Sequence, residues 1–128
     1  MKSRDALLKP KRFSVAEKSR KAADLETMIR EFEGMATELD RQIMAEEERT
    51  GVKDIAHFAY STFAKSAAVR RDKLRASVSD LRAKFEAANA EYLAAVEELR
   101  LLEADESRDH ERSSPSSSRV ERNGVAFN

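Results

Sequence analysis

The sequence predicts an all-α protein, a long two-helix antiparallel coiled-coil hairpin followed by a disordered C-terminal tail. Three observations predict this fold. Between Pro10 and Pro115 there is no proline, and Gly34 and Gly51 are the only glycines, so little in this stretch interrupts a helix. Apolar residues recur in alternating steps of three and four, which is the spacing of a heptad seam. Successive segments of the chain also alternate in net charge, which favours a chain that folds back on itself.

The first predicted helix covers about residues 14–49. Ser14 can cap its first turn, and Glu17, three residues later, completes a capping box, although Pro10 would also permit an earlier start with the proline in the first turn. The apolar seam of this helix consists of Val15, Ala22, Leu25, Ile29, Phe32, Ala36, Leu39 and Ile43. Gly51 can adopt the left-handed conformation that ends a helix, so we expect a short hinge at residues 50–54.

The second predicted helix covers about residues 55–106, with Asp54 as its N-cap. Its seam consists of Leu74, Val78, Leu81, Phe85, Ala88, Tyr92, Ala95, Leu99 and Leu102. Residues 107–128 lose the heptad and contain a run of serines around Pro115, a composition typical of disorder. The predicted organisation is therefore a hairpin at residues 1–106 and a disordered Ser-rich tail at residues 107–128.

A short hinge also predicts which seam residues face each other. If the chain reverses around Gly51, Ile29 lies opposite Leu74 and Ile43 lies opposite Tyr60. Every such pair joins an a position of one helix to a d position of the other, as an antiparallel coiled coil requires. The hinge length and the heptads therefore predict one consistent register.

The charge pattern favours folding within one chain over pairing of two chains. The net charge is +6 over residues 1–21, −7 over 24–48, +6 over 49–84 and −6 over 85–106. A hairpin places opposite charges side by side, whereas a parallel homodimer would place each segment against its own kind. We therefore expect a monomer in isolation. The formal net charge of zero also argues against a general nucleic-acid binder, so no nucleic acid is expected among the partners.

Catalytic, cofactor and metal sites are not expected. The chain has no Cys and only two His, which are far apart, so neither a thiolate nor a His metal site can assemble. A two-helix rod offers no pocket that would tune a carboxylate for catalysis, and the sequence has no phosphate-binding loop or nucleophile elbow. No apolar run reaches the length of a membrane span. We expect a cytosolic protein without enzymatic activity.

Aromatic residues cluster directly after the predicted hinge. The predicted seam takes His57 and Tyr60, with His57 opposite Glu46, and leaves Phe58 and Phe63 off the seam. These two rings could form a docking surface; alternatively, the hinge folds over them or Phe63 only widens the seam.

Several short motifs carry a resemblance to a known family. They include Met1-Lys2-Ser3-Arg4-Asp5, Lys11-Arg12-Phe13, Glu46-Glu47-Glu48-Arg49-Thr50-Gly51, His57-Phe58-Ala59-Tyr60 and Arg70-Arg71-Asp72. With these motifs the chain resembles the FliJ family of flagellar export proteins over about residues 1–100. The hinge followed by the aromatic tetrapeptide is the most specific part of the resemblance.

The resemblance implies a function in the flagellar type III export apparatus. It implies a cytosolic, non-enzymatic coiled coil that inserts into the hexameric ring of the export ATPase FliI and promotes assembly of that ring. It further implies that the coiled coil connects the ring to the export gate protein FlhA and escorts export chaperones. The implied location is the cytoplasmic face of the inner membrane at the flagellar base, with membrane contact through partners only.

The resemblance also assigns candidate residues by position, with gate contacts near the hinge and ATPase contacts toward the chain ends. The export-gate-binding candidates are Phe58, Tyr60, Phe63, Lys65 and Arg70. The ATPase-binding candidates are Arg4, Lys11, Arg12, Arg20, Tyr92 and Leu99. The chain departs from the family in its Ser-rich tail, where members usually continue as a charged helix. The alternative function is a generic coiled-coil scaffold or a prefoldin-like chaperone hairpin, which would form oligomers and bind clients through its seam.

Overall fold

The described part of the chain consists of two long α-helices joined by a loop. The computed structural model describes residues 2–113, with side chains for residues 6–111. Helix α1 is Lys2–Thr50 and helix α2 is Thr62–Ser113. No strand occurs within the described range, and the predicted all-α two-helix hairpin is confirmed.

Helix α1 begins earlier than the predicted residue 14, and the predicted cap at Ser14 lies inside it. Pro10 is also inside the helix, where it removes one backbone hydrogen bond. Burial of Leu8 before Pro10 helps to offset that loss, since the side chain of Leu8 is only 1% exposed. Helix α1 therefore starts before both Ser14 and Pro10.

Helix α2 begins seven residues later than predicted because a different residue caps it. The Oγ of Ser61 accepts a hydrogen bond from the Ala64 N–H at 3.1 Å, the geometry of an N-cap. Asp54, the predicted cap, instead closes a turn inside the loop, where its Oδ1 accepts from the Ala56 N–H at 3.0 Å. The hinge is therefore a loop of residues 51–61 rather than 50–54.

The opposite end of the loop follows the prediction. Gly51 has a φ of 74° and donates its N–H to the carbonyl oxygen of Glu47 at 2.9 Å, which ends α1 in a left-handed cap. At the far end of α2, residues 107–113 are helical although they were assigned to the tail. The rest of the predicted disordered tail lies outside the described residues.

The chain divides into two compact units, each containing part of both helices. The hinge unit is Arg20–Asn89, and the terminal unit is Met1–Ser19 with Ala90–Asn128. In the hinge unit, the predicted seam residues Ala22, Ile29, Ala36 and Ile43 are buried. In the terminal unit, Leu8 is buried, and Val15, Tyr92, Ala95 and Leu99 are half-buried.

The register in the hinge unit differs from the predicted one by about one heptad. Ile29 packs in one cluster with Val78 and Leu81, whereas the prediction placed it opposite Leu74, seven residues before Leu81. The longer loop causes the shift, because α2 starts seven residues later and its seam meets α1 one heptad further along. A shift of a whole heptad keeps the predicted seam residues within α2 on the seam and changes the partner of Ile29. Ile43 still packs in one cluster with Tyr60, the residue predicted to lie opposite it.

Candidate interaction surfaces

Two side-chain hydrogen bonds attach the end of the loop to the end of α1. Tyr60 Oη donates to Glu47 Oε2 at 2.7 Å, and Ser61 Oγ donates to Glu46 Oε1 at 3.0 Å. The ring of Tyr60 is buried and packs in one cluster with Ile43. Because the residue that caps α2 also bonds to α1, the start of α2 is fixed relative to the end of α1.

These bonds shift the pKa of two groups in opposite directions. Hydrogen bonds from Arg49 and, to a smaller extent, from Ser61 stabilise the ionised carboxylate of Glu46, so the pKa of Glu46 is lowered. The hydrogen bond from Tyr60 to Glu47 stabilises the neutral phenol, and burial adds to the effect, so the pKa of Tyr60 is raised. The hinge therefore favours an ionised Glu46 and a neutral Tyr60 near neutral pH.

The loop presents an apolar surface outward. Phe58 is 96% exposed, and its ring stacks on His57 with the ring centroids 4.7 Å apart and an angle of 22° between the ring planes. Ile55 is also exposed. The Nδ1 of His57 accepts a hydrogen bond from the Ala59 N–H at 3.0 Å, which fixes the imidazole under the Phe58 ring. We call Ile55, His57 and Phe58 the loop patch.

The predicted seam position of His57 is wrong. His57 lies in the loop and is exposed, because α2 begins only at Thr62. Glu46, its predicted partner, bonds to Ser61 instead. The displaced helix start thus moves the histidine from the seam to the surface beside Phe58.

The gate-binding candidates differ in how accessible they are. Phe58 is fully at the surface, Phe63 is half exposed in the first turn of α2, and Lys65 and Arg70 are exposed further along that helix. Tyr60 is only 8% exposed, and its hydroxyl is bonded within the chain. The burial of Tyr60 argues against direct contact with a partner and gives it a structural part in the hinge.

Two of the ATPase-binding candidates form ion pairs within the terminal unit. Lys11 pairs with Glu98, and Arg12 pairs with Glu103, whose Oε2 accepts from the Arg12 Nη2 at 3.0 Å and from the Nε at 3.3 Å. These pairs join α1 to α2 at the surface, with 56% of the Arg12 side chain exposed. Exposed pairs of this kind contribute about 0–1 kcal/mol to stability. An acidic group of a partner can therefore replace Glu98 or Glu103 as the ion-pair partner with little loss of stability.

The remaining ATPase-binding candidates are divided between the two units. Tyr92 and Leu99 are half-buried on α2 in the terminal unit. Arg20 is exposed but belongs to the hinge unit. Arg4 lies within α1, and its side chain is outside the described part.

One edge of the hinge unit is closed by ion pairs between the helices. Asp40 Oδ1 accepts from Arg71 Nη1 at 2.8 Å, and Asp40 Oδ2 accepts from Arg75 Nη2 at 2.5 Å. Glu33 and Arg82 form a further pair along the same helices. The Asp40 hydrogen bond favours the charged guanidinium and raises the pKa of Arg71. We call these five residues the ion-paired edge.

A second feature of the hinge unit is a mainly apolar groove between the helices, with a volume of about 890 Å³. Its lining residues are Glu31, Gly34, Met35, Glu38, Leu39, Arg70, Lys73 and Leu74. Sequence reasoning missed this groove, because its two walls come together only in the observed register. The available signal was the combination of Gly34 with Met35, a glycine and an apolar residue side by side outside the seam of a charged helix.

Metal-ligand clusters and membrane-spanning helices are both absent from the described residues. No group of three or more His, Cys, Asp or Glu side chains there could hold a metal ion. In that same part of the chain, neither helix combines the length and apolarity that crossing a bilayer requires.

Comparisons with known proteins find no match to this chain: no family model, no curated protein and no solved structure matches it. Membership of the FliJ family therefore stays a prediction that rests on the sequence motifs.

Proposed function

We propose that the chain is a coiled-coil component of a flagellar type III protein export apparatus. In this function it inserts as a stalk into the ring of the export ATPase FliI and promotes assembly of the ring. It also links the ring to the export gate protein FlhA and escorts export chaperones. The observation that carries the proposal is the hinge, where an exposed Phe58 is presented on a loop whose end is bonded to α1 through Tyr60 and Ser61.

The exposed aromatic side chain of Phe58 suits a docking contact. Exposed aromatic rings are frequent anchors of protein interfaces, because they bury a large area when a partner covers them. The hydrogen bonds of Tyr60 and Ser61 fix the loop end before a partner arrives. Less conformational entropy is then lost on binding, which leaves more of the burial energy for affinity.

The length of the helices suits a stalk. Helices α1 and α2 contain 49 and 52 residues, and each therefore measures roughly 75 Å along its own axis at 1.5 Å per residue. The described part of the chain consists of these helices and one loop, so its contact surfaces are helix faces and the loop patch.

The terminal unit supplies cations for the ATPase contact. Lys11 and Arg12 are held at the surface by Glu98 and Glu103, in pairs weak enough to exchange for an acidic partner surface. In the proposed setting the protein acts as a monomer without nucleic acid, at the cytoplasmic face of the inner membrane at the flagellar base. It reaches the membrane only through its partners.

The experiment that tests the proposal measures ATP hydrolysis by purified FliI with increasing amounts of this protein, while ring formation is followed by electron microscopy. We expect faster hydrolysis together with hexameric rings. The double variant Lys11→Glu with Arg12→Glu should lose the stimulation. Arg30→Glu is the matched control, because Arg30 is an exposed cation on α1 that pairs only with Glu26 of its own helix among the described contacts.

A folded protein that neither stimulates FliI nor binds FlhA would contradict the proposal. If such a protein instead suppressed the aggregation of unfolded clients, the prefoldin-like hairpin would replace it.

A further inference from the structure

The two edges of the hinge unit differ in the contacts between α1 and α2. On the ion-paired edge, salt bridges join the two helices. Across the groove, no ion pair joins α1 to α2 among the side chains that the structure describes, and Met35 is 55% exposed there. Leu39 and Leu74 are half-buried in the groove. On the groove side, these apolar side chains are not covered by ion pairs between the helices, and they remain open to solvent.

A glycine stands in the wall of the groove where the fold itself does not require one. Gly34 lies inside α1, and a Cβ placed on it would meet no atom within 4 Å. The only positive-φ glycine in the described range is Gly51, so Gly34 is not needed for a left-handed backbone. Glycine inside a helix lowers its stability relative to alanine. What glycine provides at this place is close access to the α1 backbone from outside.

The walls of the groove carry charges of opposite sign. Glu31 and Glu38 lie on the α1 wall, seven residues apart, which is about two helical turns. Arg70 and Lys73 lie on the α2 wall. Glu38 also accepts hydrogen bonds from Arg41 on its own helix, at 2.6 and 3.0 Å. On the α1 wall a ligand would meet the carboxylate of Glu31 and that of Glu38, whose charge Arg41 partly offsets, and on the α2 wall it would meet positive charge.

We propose that this groove binds one amphipathic helix of a partner protein. That helix has an apolar stripe facing Met35, Leu39 and Leu74, basic residues along the edge over α1, and acidic residues along the edge over α2. A concave groove between two helices accommodates the convex face of a third, and Gly34 lets the incoming backbone approach α1. The inference rests on the groove alone and does not depend on the export function.

A second copy of this chain fits the groove less well. The same groove on a second copy is also concave, so two grooves placed face to face leave a gap where a single helix would fill the space. The charge blocks of the two helices are moreover matched within one chain, as Glu33 with Arg82 and Asp40 with Arg75 show.

The test uses the full chain and three designed helical peptides of about 20 residues, long enough to hold a helix. All three share one leucine stripe. The first has lysines on one edge of the stripe and glutamates on the other, the second has lysines on both edges, and the third has glutamates on both. Fluorescence anisotropy of labelled peptides gives the affinities. We expect the mixed-edge peptide to bind at least about tenfold more tightly than either of the others.

Two variants locate the binding. Gly34→Leu fills the groove and should weaken binding of the mixed-edge peptide at least about tenfold, while circular dichroism shows helicity equal to or above that of the parent, since leucine favours helix. Thr37→Leu is the matched control, because Thr37 is exposed on the same helix and lies beside Glu33 and Asp40 of the ion-paired edge. This control should bind as the parent does.

A charge-reversed groove gives an independent readout. The double variant Glu31→Lys with Glu38→Lys has two basic walls, and its preference should move to the peptide with glutamates on both edges. Equal affinity for all three peptides, or undiminished binding by Gly34→Leu, would overturn the proposal. Sedimentation equilibrium that shows a dimer abolished by Gly34→Leu would also overturn it, because a second copy would then be the occupant.

Discussion

The hydroxyl of Tyr60 lies 2.7 Å from Oε2 of Glu47 and donates a hydrogen bond to it. The bond joins the last part of the loop to the last turn of α1. Its neighbour, from Ser61 to Glu46, ties the N-cap of α2 to the same turn. The start of α2, and with it the register of the hinge unit, is therefore fixed by contacts between segments that are 13 and 15 residues apart.

Removing this hydroxyl should weaken the hinge without changing the fold. We expect Tyr60→Phe to lower the free energy of unfolding by about 0.5–1.5 kcal/mol, the usual net value of one hydrogen bond, because the ring still fills its place beside Ile43. Urea unfolding followed by circular dichroism measures the change. Tyr92→Phe, in the terminal unit, is the control and should change stability less; equal losses in both variants would contradict the hinge assignment.

The phenol of Tyr60 should titrate above the ordinary tyrosine value of 10.0, because its hydrogen bond to Glu47 favours the neutral form. The chain has only two tyrosines, so absorbance at alkaline pH in a Tyr92→Phe background reports Tyr60 alone. For a raised pKa, the stabilising contribution is complete below the unfolded value and is lost as pH rises through the folded one. Glu47→Gln should move the titration back toward 10.0, and a curve that does not move would count against the hydrogen bond.

Glu46 should make the hinge sensitive to acid. Its pKa is lowered from the ordinary 4.5, chiefly by the hydrogen bond from Arg49, so its contribution is complete above that pH. The contribution is lost as pH falls through the lowered folded value. We expect Glu46→Gln to have a lower melting temperature than the parent at neutral pH, and the difference to shrink below about pH 4.5. Glu48→Gln, an exposed neighbour, is the control. A difference that is independent of pH would exclude the charge as the cause.

The register shift can be tested by cross-linking, because the chain contains no native cysteine. The double variant Ile29→Cys with Leu81→Cys should cross-link with a short thiol reagent, since both side chains belong to one cluster. The double variant Ile29→Cys with Leu74→Cys tests the register that the shorter hinge predicts, and it should cross-link much less. Mass spectrometry of the digested protein measures both yields, and a reversed order would restore the register that the sequence predicts.

The exposed rings should matter for binding and little for folding. We expect Phe58→Ala and Phe63→Ala to weaken binding to FlhA by about tenfold or more, as loss of an aromatic anchor does. Phe58→Ala should leave the melting temperature unchanged, because the ring is 96% exposed. Leu101→Ala, an exposed apolar residue of the terminal unit, is the matched control for loss of surface area. Unchanged affinity of both variants in a titrated pull-down would exclude Phe58 and Phe63 from the proposed gate contact.

Among the candidate residues, the sequence located the exposed Phe58 and the cations Lys11 and Arg12. It could not show which candidates are buried or bonded to other residues of the same chain. Tyr60 and Phe58 stand two residues apart in the same tetrapeptide, yet one is buried and bonded to Glu47 while the other faces solvent. That difference depends on where α2 begins. The groove beside Gly34 depends on the same choice, because its walls come from both helices.

The sequence by itself determined the two helices, the seam residues such as Ile29 and Ile43, and the cap at Gly51, because helix periodicity and a left-handed glycine are local properties. Only the tertiary structure decided between Asp54 and Ser61 as the start of α2. Both residues can cap a helix, but Ser61 also bonds to Glu46, and Tyr60 beside it bonds to Glu47. Local preference therefore permitted two registers one heptad apart, and contacts across the hinge distinguish between them.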